Sequence, residues 1–148
     1  MDTSLTLVIL AAGHGSRFGG NKQFAGFGET NITLMELNAL AAYEAGFKRV
    51  IFIIAPNTQA SFEQQISSHL PNDLKVSFAV QSNDHLPQGL VLPIARHKPL
   101  GTAHALWCCQ HLIDGPFVVT NADDYYGHSG FNQIARHFSK PAASWAMV

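Results

Sequence analysis

The sequence predicts an α/β protein of three layers, α/β/α, with a mostly parallel sheet and helices on both of its faces. Three observations carry this. Short apolar runs rich in β-formers recur along the chain. Segments with helical start and stop signals lie between them. Strands that alternate with helices join through right-handed crossovers, which makes neighbouring strands parallel.

The elements can be justified in order. Leu5–Leu10 (LTLVIL) ends at Ala11-Ala12-Gly13 and reads as a buried strand. Thr33-Leu34-Met35-Glu36 has the form of a capping box; apolar residues follow through Ala45, and Gly46 stands where the helix should end. Val50–Ile54 is a second strand, stopped by Pro56. Thr58–Leu70 is a helix closed by Pro71, and Leu74–Val80 alternates as a third strand. Thr102–Leu112 is a helix with Ala103, Leu106 and Leu112 along one side. Gly115-Pro116 introduces the fourth strand, Phe117–Thr120, and Phe131–Phe138 is a shorter helix. Two long segments carry no such pattern: Gly13–Ile32, dense in glycine, and Gln81–Leu100, with three prolines. Long loops in a compact domain are usually functional, and both follow a strand, at the edge where open sheets bind ligands. Ala142–Val148 is an apolar run that reads as a strand cut short, so residues 1–148 are expected to be one domain's N-terminal part.

Composition narrows the function classes. At 148 residues, 47% hydrophobic and 13% charged, the chain is long and apolar enough to bury a core, roughly two thirds of its unfolded surface. A net charge of −1 gives no general attraction to nucleic acid or an anionic membrane, so phosphate binding must be local. No apolar run is long enough to span a bilayer, and Met1–Thr6 lacks a secretory pattern. The neighbouring Cys108 and Cys109 read as reduced, near-core residues of a cytosolic protein. His104 and His111 lie seven apart with no third ligand, which argues against zinc; His104 reads as a helix-face residue.

The segment Leu10-Ala11-Ala12-Gly13-His14-Gly15-Ser16-Arg17-Phe18-Gly19-Gly20-Asn21-Lys22-Gln23 carries most of the chemistry. Glycines let the backbone approach a phosphate and aim N–H groups at it, while Arg17 and Lys22 add positive charge. A dinucleotide fingerprint fails because position 18 is Phe and the next glycine is Gly19. A P-loop fails because Asn21 and Lys22 follow Gly20, where Lys and then Ser or Thr are needed. What remains, a strand followed by L-A-A-G-x-G-S-R-x-G-G-x-K-Q, resembles the signature of the nucleotidyltransferases, which include sugar-phosphate nucleotidylyltransferases and the cytidylyltransferases of isoprenoid synthesis.

Later motifs extend the resemblance over nearly the whole chain. Gln81 ends the third strand, where relatives place a base-contacting residue. Lys98-Pro99-Leu100-Gly101-Thr102-Ala103-His104-Ala105 resembles the second nucleotide-contacting turn, although Thr102 would also serve as an ordinary N-cap. Asn121-Ala122-Asp123-Asp124-Tyr125-Tyr126-Gly127 follows the fourth strand, and adjacent carboxylates there are costly unless compensated, as by magnesium on a triphosphate. The competing reading is an Asx-type turn. Tyr125, Tyr126 and His128 either line an acceptor pocket or pack beneath the loop.

The resemblance implies a Rossmann-like, GT-A-like nucleotide-diphospho-sugar transferase fold, truncated here. It implies transfer of NMP from an NTP to a sugar 1-phosphate, with pyrophosphate released. Arg17, Lys22 and Asp123 are the implied catalytic set, and Asp123 and Asp124 the implied holders of Mg²⁺. Ala11, Ala12, Gly13, Gly15, Ser16, Gln81, Gly101 and Thr102 are the implied nucleotide contacts. Partners would be an NTP and a phosphorylated acceptor in the cytoplasm, with no nucleic acid and no membrane; self-association stays open. Two alternatives stand beside it: a cytidylyl or cofactor nucleotidyltransferase of the same fold, and a non-catalytic nucleotide-binding module.

Overall fold

A computed structural model describes residues 4–13, 26–66, 68–93, 96 and 98–140 of the chain. Four strands form one parallel sheet: β1 (Thr6–Ala11), β4 (Arg49–Ile54), β5 (Lys75–Val80) and β6 (Phe117–Asn121), in the order β5-β4-β1-β6. β2 (Gly26–Phe27) and β3 (Ile32–Thr33) make a separate antiparallel hairpin. The helices are α1 (Leu34–Glu44), α2 (Gln59–Ile66), α3 (Thr102–Cys109) and α4 (Gly127–Phe138).

The two central strands are apolar on both faces because both faces are covered. Leu7, Ile9 and Ala11 of β1 and Val50, Phe52 and Ile54 of β4 join residues of α1, α2 and α4 in one core cluster. Val8, Ile51 and Ile53 point the other way and pack with Ala105 and Cys109 of α3. Phe52 stacks on Phe78 at 5.7 Å, and Phe47 meets Phe131 edge-on at 5.8 Å. The edge strand β6 is covered on one face only, leaving Phe117 and Val119 exposed.

The start and end of α1 follow the sequence reading. The Thr33 hydroxyl accepts from the Glu36 N–H at 3.2 Å, and the Glu36 carboxylate accepts from the Thr33 N–H at 2.7 Å. Gly46, at φ +100°, closes the helix as the Phe47 N–H bonds back to the Ala42 carbonyl. Beyond the capping box, the other Glu36 oxygen lies 2.6 Å from His69 Nδ1, so this fully buried carboxylate also ties α1 to the turn after α2.

Several boundaries differ from the expectation. The second helix ends at Ile66 rather than Leu70, since the chain turns at 68–70, bringing His69 to Glu36 and burying Leu70. α3 tightens into a 3-10 turn over Gln110–Leu112 instead of running on as α-helix. α4 begins at Gly127 rather than Phe131, because that glycine, at φ +71°, turns the chain directly out of the strand-end loop. The segment 13–32 holds the β2–β3 hairpin, where a side chain at Gly26 would collide with the Asn31 carbonyl. The segment 81–100 has neither helix nor strand among its described residues. Residues 142–148 lie outside the described set.

Candidate functional site

The sheet order places the reversal of chain direction between β1 and β6. After β1 the chain moves outward through β4 to β5, then returns to the other side of β1 as β6. A crevice opens at the carboxyl ends of two such strands. Leu10 is in register with Asn121, so Ala11, Ala12 and Gly13 leave the sheet beside Ala122 and Asp123. Ala11 and Ala12 are buried and Gly13 is exposed. Among the described residues nothing lies within 4 Å of where a Gly13 side chain would begin. Gly15, Ser16, Arg17 and Lys22 lie outside the described residues.

The turn after β6 is built on polar ties. Asn121 Nδ2 donates to Asp124 Oδ2 at 2.8 Å, and the Asn121 N–H donates to the Tyr126 hydroxyl at 3.1 Å. Asn38, fully buried on α1, grips the same turn twice: its Nδ2 donates to the Asp124 carbonyl at 2.7 Å, and its Oδ1 accepts from the Tyr126 N–H at 3.1 Å. The tie joins two side chains, whereas an Asx turn bonds a side chain to the backbone two residues on, so this turn is held by Asn121, Asp124 and Asn38 instead. Asp123 stands apart from it, exposed and with no hydrogen-bond or ion-pair partner among the described residues. Asp124 is also exposed, so neither acid carries the burial penalty that the sequence reading invoked; water solvates both. Among the described residues no three or more His, Cys, Asp or Glu side chains converge as a metal cage. The arrangement suits a magnesium ion held by one or two carboxylates and otherwise by phosphate and water.

The neighbouring aromatic residues divide. Tyr126 packs on Phe131 at 6.3 Å and supports the turn, whereas Tyr125 is exposed. His128 faces α1 instead of the crevice, 2.8 Å from Glu44.

A second corner lies at the end of β5. The Gln81 N–H bonds to the Ile54 carbonyl at 2.9 Å, and its side chain is buried. Gln81 Nε2 lies 2.5 Å from the Leu100 carbonyl and 3.3 Å from that of Gly101. Gly101, not Thr102, is the N-cap of α3, and no side chain caps this helix start. Residues 101–103 are exposed, so the first N–H groups of α3 present donors to solvent. His104 lies on α3, buried and hydrogen-bonded within the protein.

The two cysteines are free and buried. Burial pushes the Cys108 thiol up and the Cys109 thiol up to about 11, so both remain protonated near neutrality. This matches the expected reduced core residues. A shallow hollow on the α4 flank, between Ala45, Asn132, Ala135, Arg136 and Ser139, includes none of the predicted site residues. Among the described residues no helix is long and apolar enough to cross a membrane.

Sequence reasoning missed Asn38. Its signal was present, a lone amide in the otherwise apolar run Leu34–Ala42 broken only by Glu36, but its partners lie 86 and 88 residues away.

An open parallel sheet with the turn after β1 and Asp123, unpartnered among the described residues, at its switch point defines an α/β protein of the Rossmann-like kind. The chain belongs to the nucleotidyl transferase family, whose model matches residues 6–148. No curated protein matches it. Among solved structures it is similar to a UTP-bound UGPase from Acinetobacter baumannii, at 19% identity and a TM-score of 0.66, covering 94% of this chain and 54% of that one. It is similar to the inositol-1-phosphate CTP transferase from T. maritima, at 12% identity and a TM-score of 0.62, covering 86% and 46%. A protein of Mycobacterium tuberculosis H37Rv matches at 18% identity and a TM-score of 0.59, covering 90% and 60%. These likenesses establish the shared Rossmann-like fold, and the chain spans about half the length of the structures it matches.

Proposed function

We propose that this chain is the nucleotide-binding part of a cytoplasmic enzyme that moves NMP from an NTP to a sugar 1-phosphate, forming an NDP-sugar and releasing pyrophosphate. One observation carries the reading: the turn after β1 and Asp123 after β6, which is unpartnered among the described residues, leave adjacent strands side by side at the switch point. A glycine-rich turn cradles phosphate, and a free carboxylate beside it holds the counter-ion.

The reaction asks for positioning and charge stabilisation rather than a covalent intermediate. An oxygen of the acceptor phosphate attacks the α-phosphorus in line as the bond to pyrophosphate breaks. Gly13 and Gly15, with Ala11, Ala12 and Ser16, bring backbone N–H groups to the triphosphate. Arg17 holds the leaving pyrophosphate, and Lys22 contacts the α-phosphate or the acceptor. Gln81, Gly101 and Thr102 contact the base. Asp123, with Asp124 second, would hold Mg²⁺, which offsets charge on the triphosphate when bound. The surroundings of Gly13 support this, since among the described residues no crowding, and no positive φ, demands glycine there.

The test is pyrophosphate release by the full-length protein from a panel of NTPs and phosphorylated acceptors. Release with a sugar 1-phosphate is the expected result. Release only with an alcohol phosphate favours the cytidylyl reading, and tight NTP binding without release from any acceptor favours a binding module. Arg17→Ala should cost on the order of 3 kcal/mol of transition-state stabilisation, about a hundredfold in kcat/KM. Wild-type turnover by that variant removes Arg17 from the site.

A further inference from the structure

His104 and Gln81 form a buried pair whose proton positions follow from their partners. A carbonyl oxygen only accepts, so the Gln81 amide atom 2.5 Å from the Leu100 carbonyl is the nitrogen. Its two protons serve three acceptors: Leu100 O, Gly101 O at 3.3 Å and His104 Nδ1 at 3.3 Å. His104 Nδ1 must therefore be bare. His104 Nε2 lies 2.6 Å from the His85 carbonyl, again a pure acceptor, so Nε2 carries the proton. One neutral imidazole thus joins α3 to Gln81 and to the start of the 81–100 segment. Cys108 Sγ lies 3.6 Å from the same Nε2, and its thiol stays protonated, so no charge is forced onto the ring.

We infer that His104 is a positioning residue that, together with the Leu100 and Gly101 carbonyls, fixes the Gln81 carboxamide with its nitrogen turned into the protein, leaving Oε1 as an acceptor for the ligand's base. Gln81 Oε1 takes no hydrogen bond among the described residues. The uncapped first turn of α3 supplies donors next to this acceptor. An acceptor beside donors complements a base edge with an N–H next to a carbonyl, the imide edge of uracil, thymine or guanine. Held in the same pose by its ribose and triphosphate, cytosine mismatches it, because its N3 accepts where uracil's donates and its amino group donates where uracil's oxygen accepts. This inference rests on the proposed nucleotide site and adds to it a choice of base class. A freely rotating Gln81 would serve either edge by flipping its amide, so the selection comes from the lock.

UTP and CTP differ at that edge alone, which makes them the probes. Titration calorimetry on the chain should give a Kd for UTP about tenfold or more below that for CTP, the scale of a mismatched buried hydrogen bond. In His104→Phe the difference should narrow severalfold, because the amide then rests on the two carbonyls alone, with the affinity for inorganic tripolyphosphate unchanged. His104→Asn, which keeps an acceptor and a donor, should recover part of the difference. A merely structural role would weaken all three ligands together. Preference for CTP in the wild type, or an undiminished UTP preference in a folded His104→Phe, overturns the inference. Long-range proton–nitrogen NMR of the imidazole in the free wild-type chain reads the lock without nucleotide and without a variant. The expected tautomer is Nε2–H, and Nδ1–H refutes the lock. Binding of none of the three ligands overturns the nucleotide site and the selection with it, while the tautomer still decides the lock by itself.

Discussion

The two strand-end corners of the crevice are organised in opposite ways. After β6, the buried Asn38 takes hold of backbone groups at 124 and 126, and Asn121 takes hold of Asp124. The exposed Asp123 is left unbonded among the described residues. After β5, the buried His104 takes hold of the functional side chain itself, Gln81. The difference fits the tasks proposed for them. A carboxylate that meets a solvated cation needs a rigid backbone and free oxygens. An amide that reads a base needs one fixed orientation, because its two ends have opposite hydrogen-bonding sense.

The comparison can be broken at the turn after β6 first. Asp123→Asn should lower pyrophosphate release by about a hundredfold to a thousandfold, the scale of losing one preorganised charge contact, with unchanged stability in urea. Asp124→Asn should retain far more activity and instead lose about 1 kcal/mol of stability, because Asn121 loses a charged acceptor. If Asp124→Asn abolishes release without touching stability, the roles of the two acids are reversed.

Asn38→Leu sharpens the same contrast from beneath. It strips two hydrogen bonds from the turn and leaves a partly buried carbonyl and N–H to find water. Urea unfolding should show a loss of about 2–3 kcal/mol. Stability equal to wild type would mean that the turn is held by its own Asn121–Asp124 tie.

A separate effect belongs to α3. The Cys109 thiol, raised by burial and then by the neighbouring Cys108, releases its proton near pH 11 in the folded chain, against about 9 for an ordinary thiol. Below pH 9 both states keep the proton and stability is level; above it the unfolded chain ionises first. Stability should therefore fall between about pH 9 and pH 11, by about 2–3 kcal/mol from this group, with Cys108 adding in the same direction. In Cys109→Ala that alkaline slope should flatten, measured by urea unfolding at successive pH values.

Much of the fold was legible because its signals are local. The apolar runs at 5–10 and 50–54, the capping box at Thr33 and Glu36, and the closing Gly46 are each read within a few residues, and each reappears in the structure. The misses arose where distant contacts outweighed local pattern. The second helix stops short where His69 turns toward Glu36, 33 residues back. Asp123 and Asp124 looked alike as neighbours in the chain, and only the fold showed that, among the described residues, Asp124 has side-chain partners and Asp123 has none.

By itself, the sequence determined the layered α/β class, the strand cores and the family signature around Gly13. These depend on hydrophobic period and glycine spacing, which are written in consecutive residues. Only the tertiary structure decided the order β5-β4-β1-β6, the place of the switch point, and the clamps from Asn38 and His104 onto their corners. Those rest on directional hydrogen bonds between residues 23 to 88 positions apart, and a bond of that kind has no trace in a short window of sequence.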